Sequence, residues 1–214
     1  MEDKADLMYL FPVYEEKIKD GVLVEKVRLV ADGRTHTNPG ETYSATPSRE
    51  EFLIFMHIIA GLDWDYAHID EKRAFIKAPY AGEKKAFVKF RGGKDFYEVK
   101  GALYGLKSAP RHYQQAVSRR LEGFGFTRLT MCSCIYVMRQ GENIVLVYDY
   151  VDDFIFTGNS RAVTEAVIND FRAIVDTTDP IWDAEKILGM ELKRNRVKRT
   201  ISITMTAKIE EVCE

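Results

Sequence analysis

Apolar positions along this 214-residue chain follow two rhythms, one of period two and one near 3.6, and the changes between them mark the elements. Over 22–31, Leu23, Val27 and Leu29 share one face while Lys26 and Arg28 share the other, the pattern of a half-buried strand. Asp20-Gly21 suits the positive backbone angles of a tight turn, so 14–31 is predicted to be a β-hairpin whose second arm presents cations. Residues 32–47, rich in Gly, Thr, Pro and Ser, read as a loop. Ser48 and Glu51 then have capping-box spacing, and Phe52, Phe55, Met56 and Ile59 recur at helical intervals until a stop near Gly61.

The stretch 66–70 reads as a short strand that delivers Asp70 at its end, followed by a helical turn through Ala74 and Phe75. FVKF and FYEV flank Gly92-Gly93 as a second hairpin. Pro110 suits the first turn of a helix whose stripe is Tyr113, Ala116, Val117, Leu121 and Phe124, with Gly123 and Gly125 at its end. Residues 143–156 form a strand pair rich in Val, Ile, Tyr and Phe with acid at its bend, and 160–175 is an amphipathic helix capped by Ser160. A last hairpin, 187–192 with 201–205, surrounds the basic turn KRNRVKR. Hairpins mixed with helices, without regular βαβ units, predict an α+β fold.

Composition narrows this picture. A hydrophobic content of 46% supports one sizeable core, divided into a main lobe and a smaller one. The sequence has no run of about 18 apolar residues and no secretory signal at its start, so a cytoplasmic or nuclear setting without membrane is expected. Cys132, Cys134 and Cys213 form neither a paired framework nor a zinc-ligand spacing and are expected to be buried or idle thiols. With a net charge of -2 and a pI near 6.1, any nucleic-acid groove must be a local basic surface.

The chemistry centres on Asp152 and Asp153. Adjacent carboxylates inside an apolar strand pair would carry a large desolvation and repulsion cost, which a divalent cation offsets. Oxygen ligands select hard ions such as magnesium. From these two residues alone, an exposed acidic hairpin turn remains an equal alternative.

Their surroundings carry a resemblance. LVYDYVDDFIFTG resembles the catalytic hairpin of reverse transcriptases, with the closest likeness to the Ty1/copia class of long-terminal-repeat retrotransposons. VRLVADG at 27–33, HIDEKRAF at 68–75, ALYGLKSAPRHY at 102–113 and ILGMEL at 187–192 follow in the family's order, and the likeness runs from about Leu10 to the C-terminus. It implies a polymerase palm with an antiparallel catalytic sheet packed on helices, plus fingers, without a thumb. Fingers would span about 1–66 and 76–104, and palm about 67–75 and 105–214. The implied reaction is RNA- or DNA-templated DNA synthesis, in which a primer 3′-hydroxyl attacks the α-phosphate of a deoxynucleoside triphosphate and pyrophosphate leaves. The implied partners are a primer-template and deoxynucleoside triphosphates, and the implied cofactors are two Mg2+ or Mn2+ ions.

Residue by residue, the resemblance makes Asp70, Asp152 and Asp153 the catalytic metal ligands. Phe75 would be a steric gate under the sugar, with Ala74 keeping the backbone close. Lys26 and Arg28 would clamp the triphosphate, and Gly105 would leave room for a nucleotide or template base. Lys107 and Arg111 would contact phosphates, while Tyr150, on the face of Asp152 by alternation, would line the primer side. The turn Lys193, Arg194, Arg196, Lys198 and Arg199 reads either as primer support or as a solvated turn.

The chain departs from the family pattern at Asp32, where a basic residue is common, with Arg34 as the candidate replacement. MCSCIYV lacks the acids that usually begin that segment. Asp149 is an additional acid facing away from Asp152 and needs a partner such as a Lys or a water. The chain stops at TAKIEEVCE, about where the family continues into a thumb and an RNase H domain, which leaves those parts to a further segment or a partner. A domesticated module that binds nucleic acid or protein without turnover is the alternative reading, and a metal-dependent nuclease ranks last.

Overall fold

The computed structural model describes residues 6–19, 22–37, 40–82 and 84–213. The chain divides into two compact units, Met1–Ser44 with Arg73–Val117, and Ala45–Lys72 with Ser118–Glu214.

In the first unit, β1 (Asp6–Lys19) and β2 (Val22–Ala31) pair antiparallel from Leu10↔Ala31 to Lys19↔Val22. The expected hairpin is therefore present, although its turn, Asp20-Gly21, lies outside the described residues. β4 (Ala86–Phe90) adds parallel to β1, and β5 (Tyr97–Glu98) closes the second expected hairpin against β4, in the order β2-β1-β4-β5. The half-buried character expected of β2 is not found. Leu23, Val27 and Leu29 on one face and Val22 and Val24 on the other are all exposed, because β2 is an edge strand and carries core contact only at its Ala31 end. The unit also holds the short helix α2 (Ala74–Lys77) and the start of α3 (Ala109–Gly123), whose Tyr113, Ala116 and Val117 are buried as their spacing predicts.

The second unit is built on a six-stranded sheet. Its strands are β3 (Asp65–Asp70), β6 (Thr127–Arg128), β7 (Ile135–Gln140), β8 (Asn143–Tyr150), β9 (Asp153–Gly158) and β10 (Ile181–Trp182), in the order β10-β3-β9-β8-β7-β6. Every neighbouring pair in this sheet is antiparallel. One face is covered by α1 (Arg49–Leu62), which begins with the expected reciprocal Ser48 and Glu51 capping bonds. Phe52 and Phe55 of α1 pack on Tyr148 of β8, and Met56, Ile59, Tyr66 and Ile155 complete that core. α1 runs on to Leu62, one residue past the expected stop near Gly61, and ends at Asp63, which takes the left-handed conformation.

On the opposite face, Phe154 and Phe156 of β9 pack on Phe171 of α4 (Arg161–Ile174), capped by Ser160 as predicted. Both rings are fully buried, and each such side chain contributes about 1.5–3 kcal/mol of transfer free energy. A small sheet of β11 (Lys186–Ile187), β12 (Met190–Asn195) and β13 (Thr200–Thr204) forms the last hairpin and leads into α5 (Thr206–Cys213). Two arginines of the segment read as its basic turn meet acids of this unit. Arg194 bonds Asp183 at 2.7 Å and Asp63 at 2.9 Å, while Arg196 pairs with Asp63, Asp65 and Asp183. Of the thiols, Cys134 is buried, Cys132 is half-buried and Cys213 is exposed.

Candidate active site

β3 and β9 place the candidate acids. Their antiparallel register sets Asp70 opposite Asp153, and β8 sets Tyr150 opposite Asp153 on its other side. Partners in such a register have Cα atoms about 4.5–5.5 Å apart, so the carboxyls of Asp70 and Asp153 leave neighbouring strands at one end of the sheet. Val151 and Asp152 form the two-residue bend between β8 and β9. Val151 has φ of +61°, a left-handed conformation usually given to glycine at the first position of such a turn.

The backbone under these acids is held from several sides. The Glu71 amide donates to the Asp152 carbonyl at 2.7 Å, and the Asp70 amide donates to Thr178 Oγ1 at 3.0 Å. The Thr178 amide returns a bond to the Asp70 carbonyl at 2.9 Å. His68, two residues before Asp70 and on the same strand face, meets Asp153 Oδ1 through Nε2 at 2.6 Å. Alternation along HID signals this neighbour, although the long-range register that brings it to Asp153 is not visible in the sequence.

The desolvation cost expected at Asp152 and Asp153 falls elsewhere. Asp152 is exposed in the bend and Asp153 is partly open, because the strands end at Tyr150 and restart at Asp153. Of the acids in this hairpin, Asp149 is the buried one, 5% exposed, with Oδ1 lacking any hydrogen-bond partner among the described residues. Burial, reinforced by the Glu71 carboxylate, pushes its carboxyl up to about 8. Among the described residues, no lysine answers it. Glu71, itself buried, is bonded by Arg120 at 2.9 and 3.1 Å.

Among the described residues, no three Asp, Glu, His or Cys side chains are gathered as a ready ion cage, and Asp153 is turned to His68. The donor chemistry nevertheless fits a hard divalent ion. Three carboxyls arise from the end of β3, the start of β9 and the bend before it, two of them in direct register, and they border solvent through which a hydrated ion can enter. Tyr150 is half-buried beside them and lines a cavity of about 550 Å³ with Phe52, Leu53, Leu188, Met190 and Ile203.

The other candidates lie in the first unit. Phe75 is seated between Tyr104 and Tyr113, with both ring centroids at 5.2 Å, and Ala74 is buried. Gly105 has φ of +89°, and a Cβ there would stand 2.0 Å from the Ala31 carbonyl oxygen, so packing against β2 already requires glycine. Lys26 is exposed, whereas Arg28 is bonded to Glu15. Arg34 grips Asp32 with two bonds of 2.8 Å and holds its carboxyl down at about 2, so the candidate replacement cation is neutralised locally. Lys107 reaches the His36 carbonyl at 3.5 Å, and Arg111 pairs with Glu41 and bonds the Tyr43 carbonyl.

The chain thus combines an α+β, palm-like fold with an acidic hairpin bend. The family model described as reverse transcriptase (RNA-dependent DNA polymerase) matches residues 8–214, and the chain belongs to that family, in its Ty1/copia class. The chain is 26% identical over 203 residues to the "Retrovirus-related Pol polyprotein from transposon TNT 1-94" of Nicotiana tabacum, covering 88% of this chain and 15% of that protein. It is 26% identical over 177 residues to the corresponding polyprotein from transposon RE1 of Arabidopsis thaliana, covering 79% of this chain and 12% of that one. The chain thus spans less than a sixth of these relatives' length. Among solved structures, a foamy viral protease-reverse transcriptase in complex with double-stranded DNA matches with a TM-score of 0.54 and 15% identity, over 95% of this chain and 31% of that one. This last likeness is one of fold.

Proposed function

We propose that the chain is the fingers and palm of an RNA- or DNA-templated DNA polymerase, with Asp70, Asp152 and Asp153 as holders of two Mg2+ or Mn2+ ions. The observation that carries this reading is the register that sets Asp70 against Asp153 with Asp152 next in the bend. When bound, such ions stabilise the attacking and leaving oxygens of nucleotidyl transfer. The chain's own groups supply the rest. Main-chain bonds at Asp70 and Asp152 fix the two strand ends, so the carboxyls keep a set spacing. Phe75, held by Tyr104 and Tyr113, provides a stiff ring that would clash with a ribose 2′-hydroxyl, and Ala74 keeps the backbone beside it close. Lys26, Arg28, Lys107 and Arg111 would meet phosphates, Gly105 a nucleotide or template base, and Tyr150 the primer.

Primer extension by the chain in Mg2+ and in Mn2+ tests this against the Asp152→Asn, Asp153→Asn double variant. Templated incorporation is expected only with both aspartates present, and equal incorporation by the two proteins would overturn the reading.

The second reading, a module that binds nucleic acid or protein without turnover, has its own observation in its favour. Arg28, Arg34 and Arg111 each carry an acidic partner, Glu15, Asp32 and Glu41, which reduces the charge offered to a triphosphate. Aspartate-dependent incorporation excludes it. Without incorporation, binding to a primer-template that weakens linearly in log salt identifies a nucleic-acid binder, and salt-indifferent or absent binding a protein scaffold.

A further inference from the structure

Behind the acidic bend, on the sheet face covered by α4 and the end of α3, lies a group of ionisable side chains that the proposed chemistry does not use. Glu71 follows Asp70 directly and is 1% exposed. Its amide holds the Asp152 carbonyl at 2.7 Å, and its backbone bridges Thr177. Its carboxylate takes both of its bonds to Arg120 from one nitrogen, Nη1, at 2.9 and 3.1 Å. Asp149 lies in the field of the same carboxylate. Glu71 is therefore tied through its backbone to the bend and through its side chain to α3.

Packing alone does not account for such an arrangement. Replacing a buried ion pair by apolar residues of similar volume is often neutral or stabilising, whereas the pair offers a fixed direction that apolar contact lacks. One nitrogen bonding both carboxylate oxygens sets the orientation of the Glu71 side chain, and with it the amide that meets Asp152.

We infer that Arg120 is a positioning residue, which acts through Glu71 to fix the Asp152 bend against the end of β3. This inference rests on the reading that Asp70 and Asp152 hold the ions. The Glu71→Met, Arg120→Met double variant removes the anchor without stranding a charge. Two measurements follow it: the titration of Mn2+ by the paramagnetic resonance of the free ion, and amide hydrogen exchange at residue 71. Removal of a supporting partner of a metal ligand commonly weakens metal binding about tenfold or more, and that loss is expected here together with lost protection of the residue 71 amide.

The conservative series keeps the test decisive if the double variant does not fold. Arg120→Lys, which can still place a cation on Glu71, should retain most Mn2+ affinity, and Arg120→Gln should lose it. Wild-type affinity and wild-type amide protection in the double variant, or wild-type affinity in both single variants, would overturn the role of Arg120 and leave the ion reading standing. Mn2+ binding that is unchanged in Asp152→Asn would overturn both.

Discussion

The β1–β2 and β8–β9 hairpins are both antiparallel and rich in β-branched and aromatic residues, yet their surroundings differ at nearly every position. In β2, Val22, Leu23, Val24, Val27 and Leu29 are between 43 and 63% exposed, while Phe154, Ile155 and Phe156 of β9 are fully buried. β2 lies at the edge of four strands, and β9 lies inside six, with α1 over one face and α4 over the other. Strand character and burial are therefore separate properties. The first follows from local residue choice, and the second from neighbours that arrive from far along the chain.

The contrast can be broken by mutation. Phe154→Ala should destabilise the protein by about 3–5 kcal/mol, the range for an aromatic removed from a closed core, measured as a fall in the denaturant midpoint at constant slope. A loss under 1 kcal/mol would mean that the core of the second unit collapses readily around the gap.

Asp149→Asn should act in the opposite direction. The folded carboxyl is pushed up to about 8 from an ordinary value of 3.8, so the folded state binds a proton that the unfolded chain releases between those limits. The penalty is absent near pH 4, grows as pH rises and levels off above about 8. The variant should thus gain on the order of 4 kcal/mol at pH 7 and almost nothing at pH 4, in paired unfolding curves. A gain that does not change with pH would show that charge has no part in it.

Leu23→Ala, on the exposed hairpin, should change stability by no more than about 0.5 kcal/mol, since little apolar surface is withdrawn from solvent there. A larger loss in the same unfolding curves would reveal a cover for β2.

Much of this architecture was legible wherever cause and effect lie close together. Ser48 with Glu51 announces a helix start three residues wide, Ser160 does the same for α4, and Asp70 falls at a strand end as its flanking residues imply. The ordered motifs alone carry the likeness to the family. What escaped is long-range. Arg120 meets Glu71 across 49 positions and His68 meets Asp153 across 85, and no local periodicity encodes either meeting. The burial of Asp149 rather than Asp152 turns on where two strands stop, a matter of one or two residues, which is the scale at which element ends are hardest to place. Exposure of β2 was hidden for a related reason: alternation distinguishes two faces without saying whether anything lies against either.

Val151 is a β-branched residue in a backbone region that costs L-amino acids roughly 1–2 kcal/mol and that glycine occupies freely. Two selections on a library randomised at this position should therefore part company. Screening for survival after heating would enrich glycine, whereas screening for nucleotide incorporation would retain valine if the rigid turn is what the carboxylates on either side require. Disagreement between the winners would expose a trade between endurance and turnover at a single codon.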